Sequence, residues 1–287
     1  MLKSSPRLRE GMERMTKAAG GLPDRVPVYA QMSHHSAKLA GESTFKFFTN
    51  AETFLKCQLH ADELYRLDSP TIHYDCYNIE AEALGAKLVW ATNQCPEVDP
   101  GRPLMASVDD VEALKFLKMG KGGRMPYVLE INKRLVDLGV PPKIRFCGPF
   151  SLATKLVGFE NFVVSAVWEP EKAHRLLRHL TDEVLAPWIT FQRRQCGTDE
   201  TAVGADALAS PPMLTVPMIR EFCLEYMKRL EKHVGRIRLA GLWGERFVDD
   251  PRKLLDIKKE GCPNLLQALD PDVTALGPAF FKEYADQ

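Results

Sequence analysis

The sequence has no excess of either charge: Lys plus Arg and Asp plus Glu number 38 each. A balanced chain gives no electrostatic reason to expect nucleic acid or an anionic membrane as the main partner. Cysteine is present, but not in the patterns that build structure. The seven cysteines, at 57, 76, 95, 147, 196, 223 and 262, are scattered, odd in number and without a C-x-x-C pair. Neither a disulfide framework nor a structural zinc module is expected, and the usage points to a reducing cytoplasm. No apolar run approaches the ~18 residues of a membrane span. The N-terminus is charged and helical in pattern, not a basic stub ahead of an apolar core, so a soluble, cytoplasmic protein is expected. Internal repeats and low-complexity linkers are missing too. With 287 residues and 45% hydrophobic content, the chain reads as a single domain over 1–287.

What the chain does have is a series of short apolar runs that each end in a polar or reactive residue. They lie at 26–32 (VPVYAQM), 70–78 (PTIHYDCYN), 143–150 (KIRFCGPF), 201–210 (TAVGADALAS), 236–246 (RIRLAGLWGER) and 264–273 (NLLQALDPDV). Between them the periodicity is helical. Helices are expected over 7–18, 52–65, 107–117, 125–138, 170–196, 216–234 and 250–259, with a helical turn ending at Gly85 and a small excursion strand in KLVWAT. Over 216–234, Ile219, Phe222, Cys223, Tyr226, Met227 and Leu230 follow the spacing of one buried face, which makes Cys223 and Met227 core residues. Alternating buried strands and covering helices predict a parallel α/β architecture, and so many repeats favour a (β/α)8 barrel over an open sheet. In that reading 1–25 is an N-terminal helical segment and 26–287 is the barrel.

The chain resembles the uroporphyrinogen decarboxylase (URO-D) superfamily, which includes the decarboxylase and the methyltransferases that serve corrinoid proteins. The resemblance rests on 24–31 (DRVPVYAQ), 73–90 (HYDCYNIEAEALGAKLVW), 146–158 (FCGPFSLATKLVG) and 204–226 (GADALASPPMLTVPMIREFCLEY), with Asp75 on the family's strand-end Asp. Leu269, Asp270 and Pro271 stand in the place of a late strand-end L-D. The family continues through a seventh and an eighth strand. The six runs therefore lead to the expectation of a barrel lacking its last one or two β/α units, through a shortened chain, a completing partner or an unusual open fold, the first being favoured. Such an open barrel is expected to aggregate or to form a homo-oligomer that covers its edge.

Departures from the family narrow the function. Where the decarboxylases carry M-R-Q-A-G-R, this chain has QMSHHSAK at 31–38, and Lys155 replaces a family Tyr. The arginines that pair with porphyrinogen carboxylates are missing, although Lys38, Lys155 and Arg246 are available as other cations. The thiol-methylating branch carries an H-x-C-G zinc site, but AGLWGER at 240–246 puts Gly241 and Trp243 in place of its His and Cys.

The resemblance and the strand-end positions leave Asp75, His34 and His35 as the catalytic candidates. Gln31, His73, Asn78, Cys147, Asp206, Trp243, Glu245, Gln267 and Asp270 are the candidates for binding substrate. Strand alternation would put His73 and Asp75 on one face, and Asp75 would serve as a proton donor. Core packing competes for His73, Cys76 and Cys147, backbone bonding for Asp206, and loop anchoring for His34 and His35. Should zinc bind elsewhere, His34, His35, His73 and Asp75 are the ligands to test. The other histidines, at 60, 174, 179 and 233, lie in helical segments as surface or interhelix groups.

The D-A-L-A-S-P-P pattern resembles the methyltransferase branch more than the decarboxylase. The expected function is methyl transfer between a small methoxy compound or methylamine and a corrinoid (cobalamin), free or on a partner protein. A cofactor-independent decarboxylase and a non-catalytic corrinoid-protein binding module are the alternatives.

Overall fold

Residues 145–147, 202–205 and 237–240 are short runs, apolar or small apart from Arg145 and Arg238, and each forms a strand. The computed structural model describes residues 6–21, 23–69, 72–109, 111, 114 and 118–287. Its strands are Leu88–Val89 (β1), Glu97–Val98 (β2), Arg145–Cys147 (β3), Ala202–Ala205 (β4) and Ile237–Ala240 (β5). β1 and β2 pair with each other, while β3, β4 and β5 form a parallel sheet in that order. Arg145 is in register with Val203, and Val203 with Arg238.

By its contacts the chain divides into two compact units. The first comprises Met1–Asp75, Leu88–Glu97 and Arg124–Lys143, and the second Cys76–Lys87, Val98–Gly123 and Ile144–Gln287.

The first unit is helical, with Pro6–Ala19, His34–Leu39, Thr44–Thr49, Ala51–Leu64 and Met125–Asp137. Its core is aromatic: the Phe47 and Phe54 rings lie 4.8 Å apart, and Tyr127 donates its hydroxyl to the Phe47 carbonyl. An ion cluster closes its start. Buried Asp68 accepts from Arg14, from both terminal nitrogens of Arg25 and from the Val28 amide. Those bonds explain why 26–32 is not the expected strand. Pro27 has no N–H to give, and Val28 spends its N–H on the Asp68 side chain and its carbonyl on the Asp68 amide, so no ladder forms.

In the second unit the sheet is covered by helices on one face. The Phe146 ring and the Met227 methyl group lie 2.5 and 2.8 Å from where a Cβ on Gly204 would stand, and Leu239 packs against Gly261. The expected helices at 170–196 and 216–234 are present, each passing through a π-helical turn, Leu180–Leu185 and Arg220–Leu224. The first turn carries Asp182, which pairs with Arg229 and His233. His174 lies between helices, bonded to Tyr226 and stacked on Phe222, as its position suggested.

Two more expected strands are absent among the described residues. Residues 72–75 form no ladder, and Pro70 and Thr71 of that run lie outside the described residues. At 264–273 the chain is irregular and then turns into the helix Asp270–Leu276, because Pro271 fits the first helical turn, where its missing N–H costs nothing. Most of the helix expected at 107–117 also lies outside the described residues. Helices at Ile79–Leu84, Pro149–Val157, Phe159–Trp168, Arg252–Gly261 and Pro278–Ala285 also belong to the unit. No single helix among the described residues is long and apolar enough to cross a membrane.

Candidate functional site

In the first unit the candidates separate by partner. Asp75 is 7% exposed and accepts from the Arg124 guanidinium at 2.6 Å. Arg124 also lies 5.3 Å from the centre of the Trp90 ring, whose edge meets Phe45 at 4.8 Å. A guanidinium at this distance stabilises the charged form of a carboxyl partner. Gln31 sets its amide nitrogen 2.8 Å from His73 Nε2. His34 faces the exposed Cys95, with Nδ1 3.7 Å from the sulfur, and Ser33 Oγ reaches the same sulfur at 3.3 Å. His35 stacks on Tyr65 and bonds its hydroxyl at 2.9 Å. Among the described residues, His34, His35, His73 and Asp75 do not gather into a group of metal ligands.

In the second unit Asp206 is fully buried at the end of β4. Its carboxylate accepts from the amides of Ser151 at 2.7 Å and Phe150 at 3.3 Å, at the start of the helix Pro149–Val157. Gly148 makes this cap accessible, since a side chain there would run into the Asp206 carboxylate. Burial pushes the Asp206 carboxyl up, against the pull of Ser151 and its other donors. Cys147 is buried, its thiol pushed well up by desolvation, and its amide bonds Glu80. Asn78 accepts from the Val98 amide. These are structural bonds.

The loop after β5 is fixed from several sides. Gly241 donates its amide to Gln267 Oε1, Trp243 its amide to Ser210 Oγ and its indole N–H to the Ala207 carbonyl. Asp272 accepts from the amides of Gly244 and Arg246 and from the Arg246 guanidinium. Glu245 pairs with Lys258, which also donates to the Gln267 carbonyl; burial pushes the carboxyl up and the ammonium down. Asp270 is exposed at the helix start, so the carboxylate that organises this loop is its neighbour Asp272.

Position 241 is closed to a zinc ligand. Gly241 has φ +87°, and a Cβ there would stand 3.1 Å from the Tyr77 hydroxyl. A His in its place would be strained and would displace Tyr77.

Sequence reasoning passed over Arg124, Tyr77, Lys258 and Asp272, and also Arg145 and Arg238. The last two carried a signal: β3 and β5 share the pattern Ile-Arg-x-x-Gly at 144–148 and 237–241.

Comparison with known proteins follows the same lines. A methylated-thiol–coenzyme M methyltransferase of Methanosarcina mazei is 31% identical over 195 residues, 64% of this chain and 48% of that protein. The chain thus spans about half the length of the curated relative it matches. A solved methyltransferase from Methanosarcina mazei superposes with a TM-score of 0.69 at 22% identity, covering 88% of this chain and 74% of that one. That likeness concerns the fold, an α/β architecture of TIM-barrel type. Residues 10–239 match the uroporphyrinogen decarboxylase (URO-D) family, and the chain belongs to it.

Proposed function

We propose that the chain moves a methyl group between a small methylated compound, a methoxy compound or methylamine, and a corrinoid presented by a partner protein as the second substrate. The observation that carries this reading is the 31% identity to a methyltransferase of the same family. A reduced corrinoid, when bound, supplies the nucleophile for the methyl carbon. The chain's part is to bind and orient the methylated compound. Asp75, held as an anion by Arg124, accepts hydrogen bonds from the substrate instead of protonating its leaving atom. The thiol-activating zinc site of the relatives' branch does not fit at 241–243, where Gly241 and Trp243 offer no ligand atoms and Tyr77 fills the space, so no step runs through it.

A second reading, decarboxylation of a small acid, draws support from Arg145 and Arg238, which share a row across the sheet and are suited to clamping a carboxylate. One experiment separates the readings. The purified protein is mixed with reduced cobalamin and a panel of methoxy compounds and methylamines while the cobalt absorption is followed. Conversion to methylcobalamin with at least one donor is expected. Carbon dioxide release from an acid without cobalt alkylation would replace methyl transfer by decarboxylation, and binding of a corrinoid protein with neither reaction would leave a binding module.

A further inference from the structure

β3 and β5 flank β4, and side chains alternate along a strand. Phe146 and Leu239 point to the helix layer, where they meet Met227 and Gly261. Their neighbours Arg145 and Arg238 therefore emerge on the opposite face, in one row through Val203. The row spans two inter-strand gaps, about 9.6 Å, close enough for two long guanidinium side chains to meet one small anion.

Both arginines are half-buried, and among the described residues neither side chain has an ion pair or hydrogen bond. Arg145 Nε is fully buried without a partner. Elsewhere in the same unit the arginines are engaged, as Arg220 is with Glu260, Arg229 with Asp182 and Arg246 with Asp272. A buried donor left unsatisfied costs stability, and more when it is charged. A third donor stands nearby. The Tyr77 hydroxyl lies beside Gly241, immediately after β5, and has no hydrogen bond among the described residues. Burial holds this phenol neutral, and Arg145 is within electrostatic range of it.

We propose that Arg145, Arg238 and Tyr77 form a cradle for the oxyanion group of a small ligand, so that the compound this protein takes carries a carboxylate or an acid group of like geometry. Two forked cations and a neutral hydroxyl match the several lone pairs of such a group. The arginines stand two residues before the ends of β3 and β5, about 6.6 Å along the strand, so the cradle lies below the C-terminal edge where parallel sheets bind ligands. The assignment concerns recognition and holds for either reaction.

The test is calorimetric titration of the full chain with 4-methoxybenzoate and with the neutral 4-methoxybenzamide. The acid is expected to bind at least about tenfold tighter, the equivalent of one charge-assisted bond. Added salt and inorganic phosphate should erode that preference in the wild-type protein. Arg145→Gln and Arg238→Gln should each reduce it to about threefold or less, and Tyr77→Phe should weaken binding of the acid more than of the amide. Equal affinities for acid and amide, no binding of either, or a preference that survives both arginine substitutions would overturn the cradle. The phosphate and salt arms need no variant, so a misfolded Arg145→Gln leaves the test intact. Acid preference without methyl transfer from any donor would sink the methyl-transfer reading alone, whereas transfer from neutral and acidic donors alike, without acid preference, would sink the cradle alone.

Discussion

Asp75 in the helical unit and Asp206 in the sheet unit are both strand-end carboxylates by sequence, and both are buried, yet their burial is compensated in opposite ways. Asp75 faces a guanidinium, which itself lies against Trp90. Asp206 faces the peptide N–H groups that open a helix, with Gly148 cleared of a side chain to let it in. A full cation keeps a carboxylate ionised in a way that backbone donors do not match, and burial pushes Asp206 up despite its bonds. Under the proposed function, the buried acid with a cation partner is a chemical group, whereas the one capped by peptide N–H groups is a fastening. The partner distinguishes them.

Four substitutions test that contrast. The largest effect is expected for Asp75→Asn, which removes the charge that Arg124 orients. Turnover by the proposed methyl transfer should fall about 10²-fold or more, and full activity would take Asp75 out of the mechanism. Next is Arg124→Ala. Truncating one member of a buried ion pair costs about 3–5 kcal/mol, readable as a shift of the urea unfolding midpoint. A loss below about 1 kcal/mol would mean that the pair is no more than a surface bridge.

For Asp206→Asn a loss of about 1–3 kcal/mol is expected, because an amide cannot accept from both the Ser151 and Phe150 N–H groups as the carboxylate does. This variant has a pH signature. The folded protein holds the Asp206 proton more tightly than the unfolded chain does, so the wild type loses stability as pH rises from the ordinary carboxylate range through the raised folded value. The substitution should remove that slope, and unchanged pH dependence would show that Asp206 does not titrate there.

The smallest effect belongs to an exposed pair. Glu260 is pushed down to about 2 by Arg220 and Lys228, so its contribution is present above the ordinary Glu range and lost as pH falls through about 2. Its side chain is 37% exposed, and solvent screening limits Glu260→Gln to roughly 0.2–1 kcal/mol, less in high salt. A cost near that of Arg124→Ala would erase the distinction between buried and exposed compensation.

The legible parts of the molecule share a local cause. The helices expected at 7–18, 52–65, 125–138, 170–196, 216–234 and 250–259 follow from side-chain periodicity, and the structure has helix at each of them. The runs at 143–150, 201–210 and 236–246 became β3, β4 and β5 because Phe146, Gly204 and Leu239 sit in register on the helix-covered face. The run at 26–32 looks equally apolar, but a side chain forty positions away, Asp68, takes its Val28 amide. No periodicity can express that bond. The site divides in the same way. Asp75 was readable as a strand-end acid from its resemblance, but not the guanidinium of Arg124, which arrives from 49 residues further on. Asp270 and Asp272 are both acidic in the first helical turn, and only the fold turns Asp272 inward to bind Gly244 and Arg246.

By itself the sequence determined the family, the helices at 7–18, 52–65, 125–138, 170–196, 216–234 and 250–259, and the strands β3, β4 and β5, because periodicity and ordered motifs are properties of neighbouring residues. Tertiary structure alone decided which carboxylate is paired, which is a cap, and which arginines remain without a partner among the described residues. Those outcomes depend on distances between residues far apart in the chain, and a charge or donor acquires its chemistry from what burial brings to within a few ångströms of it.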